Sequence, residues 1–295
     1  MKILWMTSLR PIGKSKENDN IQELFIKSVT NLKSEVKFSF TQFDDNGVED
    51  YIKSNNLNAI YNNIKKTSLP ENKKYSNKLM LDNALNQFID EDFDFLVYST
   101  ADILIPSYIF KYVKEMNIHK SNKEFCVLVY PNILQKNGIV KSVTFPHYGI
   151  DIFIFKIKKD TAKKFKNSII HWNQYDWGIN DNFYVSICDL LDLPIYNIYK
   201  NVSIIKFEND FKTINESRNW QISSWKENKK YFMNFLKKNK LSIFYATGSY
   251  YYLLYKIFRF RDFNLNLFLV YFKFYLFFPI HFIKKLINKI IQKDS

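Results

Sequence analysis

Phe93-Asp94-Phe95-Leu96-Val97-Tyr98-Ser99-Thr100-Ala101-Asp102-Ile103 reads as a strand of apolar and aromatic residues running into a small polar turn that ends in one carboxylate. Open α/β sheets bury their strands on both faces and present ligand-binding groups beyond the strands' C-terminal ends. Asp102 is therefore a candidate site residue. The local pattern also allows it to be no more than a cap for the next segment, since Asp is common in caps and turns.

The residues on either side supply a context. A helix is expected from Tyr75 to Ile89, with Leu79, Leu81, Ala84, Leu85 and Phe88 as its apolar residues and Lys78 near its start. It feeds directly into the quoted strand. Further back, Ile3 to Met6 is a short apolar strand ending in Thr7-Ser8-Leu9-Arg10-Pro11, a loop where hydroxyls and an arginine cluster and Pro11 stops the strand. Asp19 or Asn20 is expected to cap a helix whose face is Ile21, Leu24, Phe25, Val29 and Leu32. Val36 to Phe43 alternates as a strand and ends at Asp44-Asp45-Asn46-Gly47, a turn with carboxylates. Strand, helix and strand in that order open a parallel sheet. Tyr51 to Ile64 is ambiguous, with a short strand indicated at Ala59-Ile60-Tyr61.

Downstream, Pro106 precedes a helix from Ser107 to Met116, and Phe125 to Tyr130 is a strong strand. Asn137-Gly138 marks a hairpin, with Ile139 to Phe145 returning. Tyr148 to Phe155 reads as another strand, followed by a Lys-rich helix. The stretch from His171 to Asp181 is a loop dense in aromatic and hydrogen-bonding groups, opening a helix through about Leu191. Pro194 to Lys206 is expected to hold a last strand, and Asn219 to Lys240 another helix.

An apolar fraction of 46% supplies enough material for a core. The net charge of +14 calls for an anionic partner: nucleic acid, a nucleotide phosphate or an acidic membrane surface. From Tyr251 to Ser295 there are eight Lys or Arg against two Asp, so the tail is both basic and greasy while the body is only mildly basic. Cys126 and Cys188 lie in apolar runs and read as reduced core residues. The N-terminus turns polar by Thr7, too soon for a signal-peptide core, and a cytoplasmic body is expected.

This order of elements, with Asn77-Lys78-Leu79-Met80-Leu81-Asp82-Asn83-Ala84-Leu85 and then Phe93 to Asp102, resembles the GT-A-type glycosyltransferases, especially bacterial enzymes of capsule and lipopolysaccharide biosynthesis. The resemblance covers roughly residues 1–210. It implies a Rossmann-type, mostly parallel sheet flanked by helices, with a nucleotide-sugar half over about 1–105 and an acceptor half over about 106–210. Residues 211–250 then form a helical extension and 251–295 a membrane-associating tail. The implied activity is transfer of a sugar, of hexosyltransferase type, from a nucleotide-sugar donor to a lipid-linked or polysaccharide acceptor. By the same resemblance Thr7, Ser8, Arg10, Asp44, Lys78, Thr100 and Asp102 face the donor. Asp151, His171, Trp172 and Trp177 face the acceptor, and Asp181, or else Asp176, is the acceptor-side base of an inverting reaction. For both Asp181 and Asp176 the residues alone leave helix capping as the alternative. The implied cofactor is a divalent cation, Mn2+ or Mg2+, on Asp102. The family's turn, however, carries two acidic residues flanking a variable one, and Thr100-Ala101-Asp102 offers only the last. Arg10, Lys74 and Lys78 are the alternative source of positive charge at the diphosphate.

Leu265 to Ile283 has about the length of a membrane span, but Lys273 falls at its middle. Ile280, Ile283, Leu286, Ile287, Ile290 and Ile291 share one helical face, which reads as an in-plane helix on anionic lipid at the cytoplasmic side of the membrane. Packing of the tail on protein is the alternative. Two other functions compete. A nucleotidyltransferase would show a Gly-rich phosphate loop after the first strand, where only Gly13 is present. A basic nucleic-acid-binding protein would show a recognisable motif, and none is found, so nucleic acid is not the expected partner.

Overall fold

Ile3 and Trp5 pack on one side of a central sheet and Leu4 and Met6 on the other, the period-two alternation of a strand buried on both faces. The computed structural model describes residues 1–13, 15–43, 47–64, 77–118, 123–136, 138–142, 150–169, 180–198, 202–207 and 228–246. In chain order these hold β1 (Lys2–Thr7), α1 (Lys16–Thr30), β2 (Glu35–Phe43), α2 (Val48–Ser54), β3 (Ala59–Ile64), α3 (Asn77–Asp90), β4 (Phe95–Ser99) and β5 (Ile103–Leu104). Then come α4 (Ile109–Ile118), β6 (Phe125–Val129), β7 (Ile133–Lys136), β8 (Ile139–Ser142), β9 (Ile152–Lys156) and α5 (Lys159–Ser168). The last elements are α6 (Asn180–Leu190), β10 (Ile195–Ile198), β11 (Ile205–Phe207), a helix α7 over 228–238 and a 3-10 turn at Ile243–Ala246.

The main sheet has the order β10-β6-β9-β4-β1-β2-β3. All its strands run parallel except β9, which is antiparallel to both β4 and β6. The reversal brings the start of β9 to the edge where β1 and β4 end: Ile152 is in register with Ser99 on one side and Val129 on the other. A second sheet, β5-β11-β7-β8, is seeded by the two residues after Asp102. Its β7–β8 pair is the expected hairpin, and Gly138 takes φ +76 in the turn, a conformation that favours glycine.

Leu4, Leu96, Tyr98 and Phe153 pack with α3, α5, α6 and α7 on one face. Trp5, Phe95, Val97 and Ile154 pack with α1, α2 and α4 on the other. Burying a side chain of Leu or Phe size contributes roughly 1.5–3 kcal/mol, so β4 and β6, buried along their whole length, contribute heavily to the core. Cys126 and Cys188 are buried free thiols, as expected.

Two local expectations are corrected. Ser15, not Asp19 or Asn20, caps α1, its hydroxyl accepting from the Asn18 N–H at 3.4 Å. Asp19 sits in the first turn, where a carboxylate suits the helix dipole, and accepts the Gly13 N–H. The expected single strand from Pro194 to Lys206 is two, β10 in the main sheet and β11 in the second.

Candidate functional site

The loop after β1 is fixed at every turn by side chains. The Arg10 N–H donates to Gln22 on α1, and the Arg10 guanidinium donates to Asn18 at 3.2 Å. The Gln42 amide, oriented to satisfy both groups, accepts from the Leu9 N–H at 2.7 Å and donates to the Leu9 carbonyl at 2.9 Å. Beside this loop, the Trp5 indole N–H donates to the Ser99 hydroxyl at 2.8 Å and the Thr7 hydroxyl to the Ser99 carbonyl at 2.9 Å, all three residues being buried. The ends of β1 and β4 are thereby locked together, and Arg10 is held over the turn that follows β4.

There Arg10 Nη2 lies 3.8 Å from Asp102 Oδ2. Asp102 Oδ1 is buried and has no hydrogen-bond partner among the described residues. The Asp102 carbonyl accepts the Phe207 N–H at 2.9 Å, which continues the β5–β11 pairing and brings Lys206 to the same place. Lys206 Nζ forms an ion pair with Asp151, the residue immediately before β9. The Thr100 hydroxyl approaches Asp151 Oδ1 at 3.4 Å, and the Thr100 N–H donates to the Asp151 carbonyl. On the far side, Asp181 in the first turn of α6 accepts the Ile150 N–H at 2.9 Å.

The electrostatics follow from this packing. Burial raises the Asp181 carboxyl to about 7, with neighbouring Asp151 pushing it further up and the Ile150 N–H and Lys206 pulling it down. Burial lowers the Lys206 pKa, but Asp151, Asp102 and Asp181 more than reverse this, so its pKa is raised and it stays an ammonium. Tyr184, one turn along α6 from Asp181, packs against Tyr98 with the rings tilted and their centroids 4.8 Å apart, and is part of the apolar wall that desolvates the site.

Of the residues expected from sequence, Arg10, Thr100, Asp102, Asp151 and Asp181 come together at the C-terminal edge of the sheet. Thr7 is at the same edge, but it is fully buried and its hydroxyl is spent on the Ser99 carbonyl. Ser8 is half-buried in the loop beside it. Lys78, in the first turn of α3, pairs with Asp82 at 3.1 Å. Asp44, Lys74, His171, Trp172, Asp176 and Trp177 lie outside the described residues. Lys206 is the addition: in sequence it is one lysine among many, and only the pairing of β11 with β5 brings it beside Asp102.

A divalent cation takes several hard oxygen ligands. Here Asp102 has one oxygen without a partner, its other oxygen faces a guanidinium, and the next carboxylate, Asp151, is occupied by an ammonium. No group of three or more His, Cys, Asp or Glu suited to a metal occurs among the described residues. Among the described residues this donor set does not fit a divalent ion.

No protein-family model matches the chain, and no curated protein matches it in sequence. Solved structures do match. The S. aureus TarS 1–349 structure superposes over 88% of this chain and 72% of that one, with a TM-score of 0.51 at 12% identity. The fold is GT-A-like. TarS 1–349 in complex with UDP-GlcNAc matches 79% of this chain and 67% of that one, with a TM-score of 0.49 at 13% identity. At such identities the likeness is one of fold.

Proposed function

We propose that the protein is a glycosyltransferase of hexosyltransferase type, transferring a sugar from a nucleotide-sugar donor to a lipid-linked or polysaccharide acceptor in capsule or lipopolysaccharide synthesis. The observation that carries this reading is the convergence of Arg10, Asp102, Asp151, Lys206 and Asp181 at the C-terminal edge of a GT-A-like sheet, where open α/β folds bind nucleotides. TarS is described in complex with UDP-GlcNAc, which makes that compound the first donor to try.

In this reading the loop at Arg10 and the turn at Asp102 take the donor. The buried Asp102 Oδ1, without a partner among the described residues, accepts a hydroxyl of the donor. Asp181, with a pKa of about 7, is the general base if the reaction inverts configuration. The acceptor oxygen bonds to the anomeric carbon while its proton passes to Asp181. The bond from that carbon to the diphosphate oxygen breaks, and its electron pair leaves with the nucleoside diphosphate. Residues 251–295 lie outside the described residues; their basic and apolar side chains would hold the enzyme at the cytoplasmic face of the membrane. Among the described residues no helix is long and apolar enough to cross a membrane.

Thermal-shift screening against UDP-GlcNAc, other nucleotide sugars and bare nucleotides tests the reading. Stabilisation by one nucleotide sugar and its nucleoside diphosphate is expected; no response to any of them would overturn it.

A further inference from the structure

The cations of the cluster lie outside the carboxylates that hold them. Arg10 and Lys206 keep 29% and 16% of their side chains exposed, against 15% for Asp102 and 4% for Asp151. Each cation is thus more open to a diphosphate arriving at this edge than the carboxylate it pairs with. Two carboxylates and two single positive charges also balance to zero, as two carboxylates and one divalent ion would. Both cations are held in place beforehand: Arg10 through Gln22 and Asn18, Lys206 through a strand paired on both sides with β5 and β7. Preorganised positive charge in a partly dry site is what stabilises a leaving diphosphate.

We propose that Lys206, with Arg10, neutralises the donor diphosphate in place of a divalent cation, so that donor binding and transfer need no metal. The proposal rests on the donor-site reading above. The alternative role for Lys206 is structural, as a counter-charge for buried Asp151 alone.

Titration calorimetry of the full chain with UDP, GDP and ADP, each in excess EDTA and in excess Mn2+, separates these possibilities. At least one nucleoside diphosphate should bind with the same Kd in both, to within about threefold. In EDTA, K206M should weaken that binding by about tenfold or more, the loss of one charge-assisted contact, while K206R retains most of it. Because K206M strands the Asp151 charge, K206M/D151N, which removes both charges, is measured beside it with circular dichroism as the folding control. A further variant, T100D/K206M, gives Asp102 a second carboxylate and removes the ammonium, and its binding should become Mn2+-dependent. Binding by the unaltered chain that appears only with Mn2+ overturns this inference and leaves the donor-site reading standing. Binding by a folded K206M/D151N as tight as that of the unaltered chain in EDTA also overturns it. No binding of any nucleoside diphosphate in either condition overturns the donor-site reading and this inference with it.

Discussion

Replacing Asp181 by Asn should make the protein more stable at pH 8 while stopping transfer. The Asp181 carboxyl sits at about 7 in the folded chain against 3.8 for an ordinary Asp side chain, chiefly because burial disfavours its charge. A folded pKa above the unfolded one contributes stability that is complete below pH 3.8 and lost as pH rises towards 7. At about 1.4 kcal/mol per pKa unit, the raised pKa costs the fold roughly 4 kcal/mol at pH 8 and less than half of that at pH 5. Asn carries no such cost, and its side-chain oxygen can still accept the Ile150 N–H. The stability of D181N relative to the unaltered chain should therefore rise by about 2–3 kcal/mol between pH 5 and pH 8. Urea unfolding at the two pH values reads this difference directly, and the comparison cancels any effect of the substitution that does not depend on pH. A difference that stays constant across the range would refute the reasoning, because Asp181 would then titrate as an ordinary carboxylate. The same group gives transfer an acid limb: kcat/KM should rise with pH up to about 7 and level off above it.

Other outcomes follow from the same contacts. S99A should destabilise the fold by about 1–3 kcal/mol in urea melts, since it strands the buried Trp5 indole N–H, whereas S99A combined with W5F should recover part of that loss. L96A, in the middle of β4, should cost about 2–5 kcal/mol by the same measurement. Removing the Gln42 amide with Q42L should leave the fold but loosen the loop that presents Arg10, raising the KM for donor more than it lowers kcat. For the tail, changing Lys284, Lys285, Lys289 and Lys293 to Gln in the full chain should weaken co-sedimentation with anionic vesicles and leave binding to neutral vesicles as it was.

The elements that sequence could reveal were those with strong local periodicity. β1, β4 and β6 are short apolar runs and β2 an alternating one, each bounded by polar turns, and their chain order alone implied a parallel sheet. Asp102 was legible because a carboxylate ending such a strand stands out against its neighbours. The cap of α1 was misread because Asp19 and Asn20 resemble caps, while the working cap, Ser15, lies one residue before a lysine with no capping partner at Asn18's position other than the backbone. Lys206 was not legible at all. Its position depends on β11 leaving the main sheet and pairing antiparallel with two residues that follow Asp102, a long-range contact that no local pattern encodes. The reversed direction of β9, which brings Asp151 to the working edge, is set in the same way by its neighbours β4 and β6.

On the reading proposed above, a nucleotide sugar binds at the edge formed by the ends of β1 and β4. Amide hydrogen exchange of the full chain, with and without a saturating nucleoside diphosphate, tests it most directly. Slowed exchange is expected at residues 8–13, 99–104 and 205–207 together. Protection that spares all three stretches, or none anywhere at saturation, would contradict it.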